Sequence, residues 1–511
     1  MSKAKTEKAD FKKEPKKSRA AEIANTFEWL ITAFVLALLF MAFVMQAFRI
    51  PTGSMADTLK GAHFRLRCPQ CGYEYDYGFI PERYGLPQDT IPRGYLKAVS
   101  SRCPSCGHYQ LAGGAMSIAN GDRILVLKCI YQFFEPKRWD VVVFKNPLNP
   151  TINYIKRLIG RPGEKVEIID GDVYINEKIS RKPPKVQNEL WMPIYDNDYQ
   201  PARPEEPCFN GHAWRQPFKN SKDSEWKFGE NSHAIFRLDT PPAQVNWLFY
   251  DTSTGNDFRA TYAYNDVEDY ANRTYCSDLM VRFYAGLAKP DGSIGVELSK
   301  YQTNYKASVD FTGDMVIEAV KAQEHIELAR KPIEPPIMNK PTLVKFANVD
   351  HQLILEFGRE KLTYDLGRNP EDAGPRETNI QPQAKIFGSG SLTLSHIAIF
   401  RDIHYTEAKF ANHSKSARAM EGNPFELEED EFFMLGDNSP SSQDSRWWSE
   451  PGKGNNGRSY RPGIVPRDYL IGKALCVYWP SWFRPLGKAS FVFIPNVGQV
   501  RLIYGGTGKE Q

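Results

Sequence analysis

An excess of charge of either sign is missing from this sequence. Its 65 Lys and Arg offset 61 Asp and Glu to leave +4 over 511 residues, too little to suggest a nucleic-acid partner. Internal repeats and coiled-coil heptads are absent, which argues against solenoids and long coils. Nine histidines are present, but none falls in the short β-rich runs that resume late in the chain to form one core. Serine chemistry in that core would therefore need another base. Long apolar runs are missing as well, with one exception.

The exception is Trp29 to Phe48, twenty residues without a charge between Glu28 and Arg49. As a helix it would extend about 30 Å, the thickness of a hydrocarbon core, which predicts one transmembrane span over 27–48. The run stays rich in Leu, Phe, Met and Val to its end, whereas a cleaved signal peptide has a shorter apolar core and small residues at its cut. A buried globular helix is seldom apolar on every face for five turns. Ahead of the run, Lys3, Lys5, Lys8, Lys12, Lys13, Lys16, Lys17 and Arg19 make 1–26 a basic tail. The positive-inside rule predicts a single-pass protein of the cell membrane, with the tail in the cytoplasm and the body outside.

Cysteine is used sparingly, eight in all, and four form two matched knuckles: Cys68-Pro69-Gln70-Cys71-Gly72 and Cys103-Pro104-Ser105-Cys106-Gly107. Such pairs can set four thiolates around one structural Zn²⁺. An oxidising compartment would favour disulfides instead, and the 31-residue spacer is long for a ribbon, so both readings stand. Four sulfurs would leave no open position for catalysis.

From Gly121 the pattern is β-rich. Asp122 to Lys128 alternates, Val141 to Phe144 is an apolar run, and Lys156-Arg157 interrupts Tyr154 to Ile159. Val166 to Ile169 and Val173 to Ile175 flank Asp170-Gly171, a hairpin turn signal. The composition shifts near Ser180, and the core pattern resumes near Glu428. The interval carries strand-like runs at Val245 to Tyr250, Leu279 to Tyr284, Met315 to Val320, Leu353 to Phe357 and Leu392 to Phe400, which predict a β-sandwich. Its Val349-Asp350-His351-Gln352-Leu353 and His396 to Ile403 runs resemble the lectin-like jelly rolls related to concanavalin A. Cys208 and Cys276 are either a disulfide within it or two lone thiols.

The chemistry centres on Phe48-Arg49-Ile50-Pro51-Thr52-Gly53-Ser54-Met55, just past the apolar run. A serine hydroxyl needs a base, and a lysine serves only if its amine is neutral. Lys156, between Tyr154-Ile155 and Leu158-Ile159, has the apolar setting that lowers an amine pKa. A strand lysine facing solvent and a turn serine are the ordinary alternatives.

Four ordered blocks resemble the bacterial type I signal peptidases (leader peptidases). They are Ile-Pro-Thr-Gly-Ser-Met-x-x-Thr-Leu at 50–59, Gly-Asp-Arg-Ile-Leu-Val-Leu-Lys at 121–128, Tyr-Ile-Lys-Arg-Leu-Ile-Gly-Arg-Pro-Gly-Glu at 154–164, and Phe-Met-Leu-Gly-Asp-Asn-Ser-Pro-Ser-Ser-Gln-Asp-Ser-Arg at 433–446. The resemblance covers about a third of the chain and omits the cysteine segment and 181–427. It implies that Ser54 is the nucleophile and Lys156 the general base, with no catalytic cofactor. The backbone N–H of Ser54 and the hydroxyl of Thr52 would form the oxyanion hole. Ser442 would orient the Lys156 amine, and Arg157 with Asp437, and Asp444 with Arg446, would brace the site. Asp57 stands where the family has proline, and Arg161 where it has an apolar residue.

The resemblance further implies a membrane-anchored endopeptidase of the inner membrane that removes signal peptides from exported preproteins after small residues, alongside the secretion machinery and membrane lipid. An extended substrate would add to the strand edges near Phe48, Ile50, Pro51, Tyr154 and Ile155. The expected organisation is mainly β: tail 1–26, span 27–48, core 49–180 with a zinc-ribbon-like segment at 64–112, an inserted sandwich at 181–427, core 428–485 and tail 486–511. A different class remains open: an anchored protein that binds glycan or polypeptide through the inserted sandwich.

Overall fold

The computed structural model describes residues 19–87, 90–92, 94–97, 100–110, 114–201, 213–228, 234–265, 273–321, 324–377, 380–406, 417–454, 457, 459–480 and 497–506. Lys3 to Lys17 and Cys208 lie outside them. The N-terminal helix runs Arg19–Leu39 and continues through a wider turn at Phe40–Val44. Glu22–Val44 is long and apolar enough to cross a membrane, and among the described residues its apolar window is not buried. The helix ends earlier than the apolar run does. Met45–Arg49, expected within or just after the span, is a strand paired with Arg123–Leu127, whose ladder supplies the backbone partners that the helix would otherwise provide.

The core is one antiparallel sheet in the order Met45–Arg49, Arg123–Leu127, Leu470–Trp479, Val141–Lys145, Asn153–Gly160, Glu431–Leu435, Val465–Pro466, with Arg501–Leu502 on the edge of Leu470–Trp479. Strands from both ends of the chain thus interleave. Arg123–Leu127 buries Ile124 and Val126 and leaves Arg123 in water, the alternation seen in its sequence. The hairpin of Lys165–Ile169 and Asp172–Ile175 turns on Asp170 (φ 48°) and Gly171 (φ 83°), a two-residue turn of the type whose twist matches the strands.

The interval after Ile179 is strand-rich and built on two long strands, Leu279–Lys300 and Ala384–Arg401, paired along most of their length. The first half of Leu279–Lys300 pairs Thr342–Val349 and the second half Thr303–Asp310. One apolar cluster takes Phe283 and Ile294, Tyr305, Phe346 and Ile399 from these four strands, so the sheet encloses a single core. Gly292 and Gly390 pair across the ladder at positive φ, and a Cβ on either would lie 2.3 Å or 2.5 Å from a carbonyl oxygen of the other strand.

This insertion is not held by its ends alone. Val166 and Val173 of the hairpin, Phe433 and Leu435 of the core, and Ile403 and Tyr405 from the end of the insertion share one apolar cluster. Beside it lies a buried charge cluster of Asp172, Asp278, Asp350 and Asp402 around Lys182 and Lys300. Lys182 Nζ contacts Asp350 and lies 2.7 Å from Asp402; Lys300 Nζ contacts Asp278 and lies 3.9 Å from Asp172. Cys276 is a buried thiol whose Sγ lies 3.6 Å from the Asp278 carbonyl.

Candidate active site

Ser54 sits on a turn pinned at both ends. Before it, Ile50 N–H donates to the Asp122 carbonyl (2.9 Å); after it, Leu59 N–H donates to the Met55 carbonyl (2.7 Å), and Asp122 N–H donates to Lys60 (2.8 Å). Met55, Ala56 and Leu59 are buried, anchoring the turn by its apolar side. Gly61 permits this packing: a Cβ there would lie 2.3 Å from the Thr52 carbonyl carbon and 2.8 Å from Gly53 N. Thr52 itself is exposed, as is Pro51.

Lys156 is 3 % exposed, on a strand whose next residues Arg157, Leu158 and Ile159 are buried. Its Nζ lies 2.5 Å from Ser54 Oγ. Burial lowers its pKa to about 8, although Asp444 pulls the other way. Neighbouring cations are matched elsewhere. Arg157 forks onto Asp437 (2.8 and 2.7 Å), and Arg446 forks onto Asp444 (2.9 and 2.8 Å), all four being buried. Arg446 Nη1 also donates to Ser439 Oγ (2.8 Å), and Gly436 N–H donates to Asp444 (3.0 Å).

Ser442 differs from expectation. The resemblance implies a hydrogen bond to the Lys156 amine, but the Lys156 amine engages Ser54, and the buried Ser442 Oγ has no hydrogen-bond partner. It packs instead on Gly436, where a Cβ would lie 2.1 Å from Ser442 Oγ and 2.5 Å from the Ser54 carbonyl oxygen. Asp57 lines a cavity of about 300 Å³ with Lys60, Asp76 and Tyr262. Arg161, half-buried, forks onto Glu164 (3.0 and 2.8 Å).

Of the residues expected to meet substrate, Phe48, Ile50 and Ile155 share one apolar cluster, with Ile50 itself buried. Tyr154 belongs to another cluster, with its ring 5.9 Å from Lys156 Nζ. The Met45–Arg49 strand ends the sheet order, and Asn153 to Lys156 pair on one side with Val142 to Lys145, while Glu431–Leu435 begins pairing only at Arg157. Both segments therefore present backbone that no described strand occupies.

Cys68, Cys71, Cys103 and Cys106 converge away from Ser54. Cys68 and Cys106 Sγ lie 3.6 Å apart, Cys71 and Cys103 3.7 Å, and one ligand atom from each fits within 4.8 Å of all the others. Tetrahedral ligation at about 2.3 Å sets sulfurs about 3.8 Å apart, whereas a disulfide needs about 2.05 Å. The knuckles repeat one geometry: Gly72 N–H donates to the Cys68 carbonyl and Gly107 N–H to the Cys103 carbonyl, with φ at 76° and 78°. The donor set fits zinc.

Residues that sequence reasoning passed over also reach the site. From the long insertion, Tyr264 packs on Gly53 of the serine turn, and Asn265 exchanges two hydrogen bonds with Asn438. No motif or period marks them.

The Ser54 hydroxyl thus lies against a buried amine whose pKa burial lowers, between two matched ion pairs. A family model described as signal peptidase, peptidase S26, matches residues 96–232 and 389–479. Signal peptidase I of Rickettsia canadensis is 32 % identical over 154 residues, 30 % of this chain and 43 % of that protein. Signal peptidase I of Rickettsia akari is 32 % identical over 153 residues, with the same shares. Over these segments the chain is similar to the signal peptidase family, peptidase S26. It spans 43 % of the length of these curated relatives. Among solved structures, a carbohydrate-binding module, CBM66 from Bacillus subtilis, aligns with 36 % of this chain and 95 % of its own at 8 % identity and a TM-score of 0.24. Sheep galectin-11 aligns with 25 % and 94 % at 10 % identity and 0.19. Likenesses this low define neither fold nor ligand for the insertion.

Proposed function

We propose that the protein is a membrane-anchored serine endopeptidase that removes N-terminal signal peptides from exported preproteins. The observation that carries this is the 2.5 Å contact between Ser54 Oγ and the buried Lys156 Nζ, on blocks of the signal peptidase type. The Ser54 hydroxyl gives its proton to the neutral amine as Oγ attacks the scissile carbonyl. The oxyanion is received by the Ser54 N–H and the Thr52 hydroxyl. Lys156 then passes the proton to the leaving amine, and water completes the cycle by hydrolysing the acyl-enzyme. Arg157–Asp437 and Asp444–Arg446 keep other charges compensated, so the amine remains the group free to change protonation.

Substrate would enter as an extended strand beside Met45–Arg49 and Asn153 to Lys156, meeting Phe48, Ile50, Pro51, Tyr154 and Ile155, with shallow pockets selecting small residues before the cut. The helix at Glu22–Val44 would place Ser54 at the bilayer surface, with the basic tail in the cytoplasm and the body outside. Lipid and the secretion machinery are the implied partners. The four cysteines would hold a structural Zn²⁺ with no part in the chemistry.

The test is cleavage of a preprotein in detergent. The wild type should cut after small residues, and Ser54→Ala and Lys156→Ala should each abolish cutting while remaining folded. An inert wild type overturns the peptidase reading in favour of an anchored binding protein; wild-type-like cutting by either variant overturns the dyad. Metal analysis should find about one zinc per chain, lost in Cys68→Ser, and absent metal with no free thiols would mean disulfides.

A further inference from the structure

Insertions in enzymes commonly sit at the periphery, but here part of the insertion lies on the nucleophile. The segment Tyr262 to Asn265 closes a turn, with Asn265 N–H donating to the Tyr262 carbonyl (3.0 Å). One edge of the Tyr264 ring packs against two glycines. An added Cβ would come within 2.2 Å of it at Gly53 and 2.5 Å at Gly78. Tyr264 also receives the Gly78 N–H on its carbonyl (2.9 Å) and donates its hydroxyl to the Ala62 carbonyl (3.1 Å), joining the serine turn to the hairpin of His63–Arg67 and Glu74–Gly78 that flanks Cys68 and Cys71.

Asn265 completes the arrangement. Its Nδ2 donates to Asn438 Oδ1 (2.6 Å) and its Oδ1 receives Asn438 Nδ2 (2.8 Å). Asn438 is fully buried and holds the nucleophile's backbone twice. Its Nδ2 donates to the Gly53 carbonyl (3.0 Å) and its N–H to the Ser54 carbonyl (3.0 Å). A primary amide has a free torsion and two chemically distinct ends. The Gly53 carbonyl selects the NH2 end of Asn438, and the reciprocal pair with Asn265 restrains the amide torsion in that setting. With the amide reversed, two carbonyl oxygens would face each other.

We propose that Asn265 and Tyr264 of the insertion are positioning residues for the nucleophile: Asn265 sets the Asn438 amide that holds the Gly53–Ser54 peptide units, and Tyr264 clamps Gly53 from the other side. The peptide units so held carry the Ser54 N–H assigned to the oxyanion, so the proposal rests on the peptidase reading for its kinetic consequence. The consequence falls on the chemical step, because the clamp touches neither substrate edge and leaves Lys156 untouched. The insertion is then part of the active site's rigidity, and a core stripped of it is a poorer catalyst even when it folds.

The full-length protein in detergent serves for the test, with Asn265→Ala, Asn265→Ser, Asn438→Ala, the Asn265→Ala/Asn438→Ala double variant and Tyr264→Phe. Asn265→Ala should lower kcat on a preprotein about tenfold or more, with KM within twofold and the pH midpoint unmoved. The double variant should be no slower than Asn438→Ala alone, since Asn265 acts through Asn438. Tyr264→Phe keeps the ring but loses the bond to the Ala62 carbonyl, and should lower kcat less than Asn265→Ala does. Hydrogen exchange supplies a readout independent of cleavage: amides of 51–60 should exchange at least tenfold faster in Asn265→Ala. A kcat within twofold of wild type, or unchanged exchange at 51–60, overturns the proposal. If Asn265→Ala melts early, Asn265→Ser decides by the same criteria. An inert wild type whose turn still loosens in Asn265→Ala overturns the peptidase reading alone.

Discussion

Lys156 in the core, and Lys182 with Lys300 at the junction to the insertion, are all withdrawn from water, yet their amines are driven in opposite directions. Burial disfavours the ammonium at all three. At the junction, contact with Asp350 and Asp402 for Lys182, and with Asp278 for Lys300, overrides it and raises both pKa values. In the core the nearby carboxylates are already forked by Arg157 and Arg446, so Lys156 contacts a hydroxyl instead and falls to about 8. Burial alone therefore does not make a general base. What decides is whether the surrounding carboxylates are occupied by other cations, which gives Arg157 and Arg446 a chemical purpose beyond bracing.

The largest expected effect separates the two kinds of lysine. Lys156→Met should reduce preprotein cleavage at least 10³-fold while stabilising the fold. The sign follows from linkage: the folded pKa near 8 lies below the unfolded value near 10.4, so below pH 8 the folded state carries a buried ammonium at a cost of about 3 kcal/mol, relieved as pH rises from about 8 to 10.4. At pH 7 the methionine variant should gain about 1–3 kcal/mol by thermal or denaturant unfolding. A variant that is less stable would mean that Lys156 is paired rather than merely buried.

Lys182→Met should do the opposite, leaving Asp350 and Asp402 buried without their cation and costing about 3–5 kcal/mol. A neutral outcome would mean the junction carboxylates take up protons at little cost. A smaller effect concerns pH. Log kcat/KM should climb with unit slope to about pH 8 and then level, following the neutral amine. A midpoint two units higher would put Lys156 in the same class as Lys182. Ser442→Ala should have the smallest effect, less than about tenfold on kcat, since the Ser442 hydroxyl has no partner to lose. A loss above 10²-fold would mean that Ser442 turns to the amine when substrate is bound.

Much of the core was legible because its signals are local. The alternation in Arg123–Leu127, the Asp170-Gly171 turn and the two C-P-x-C-G knuckles each encode their geometry within a few residues, through side-chain period or positive φ. The apolar run was readable as a spanning element, but its end was not: Met45–Phe48 suit helix or strand, and the Arg123–Leu127 partner decided. Composition likewise showed strands in the insertion without showing that two of them pair through Gly292 and Gly390.

The sequence alone determined the candidate residue types and their order. Ser54, Lys156 and the Gly436 to Arg446 block lie in contiguous motifs, and such motifs survive any separation along the chain. Tertiary structure decided what those residues are chemically. The lowered pKa of Lys156 comes from burial, with one nearby carboxylate, Asp437, held by Arg157 from 280 positions away and the other, Asp444, by its close neighbour Arg446. The Asn265–Asn438 pair joins the insertion to the core over 173 positions, and Tyr264 meets Gly53 from farther still. Contacts between residues so distant leave no period, spacing or composition to read, because each partner is locally an ordinary turn residue and only the fold brings them together.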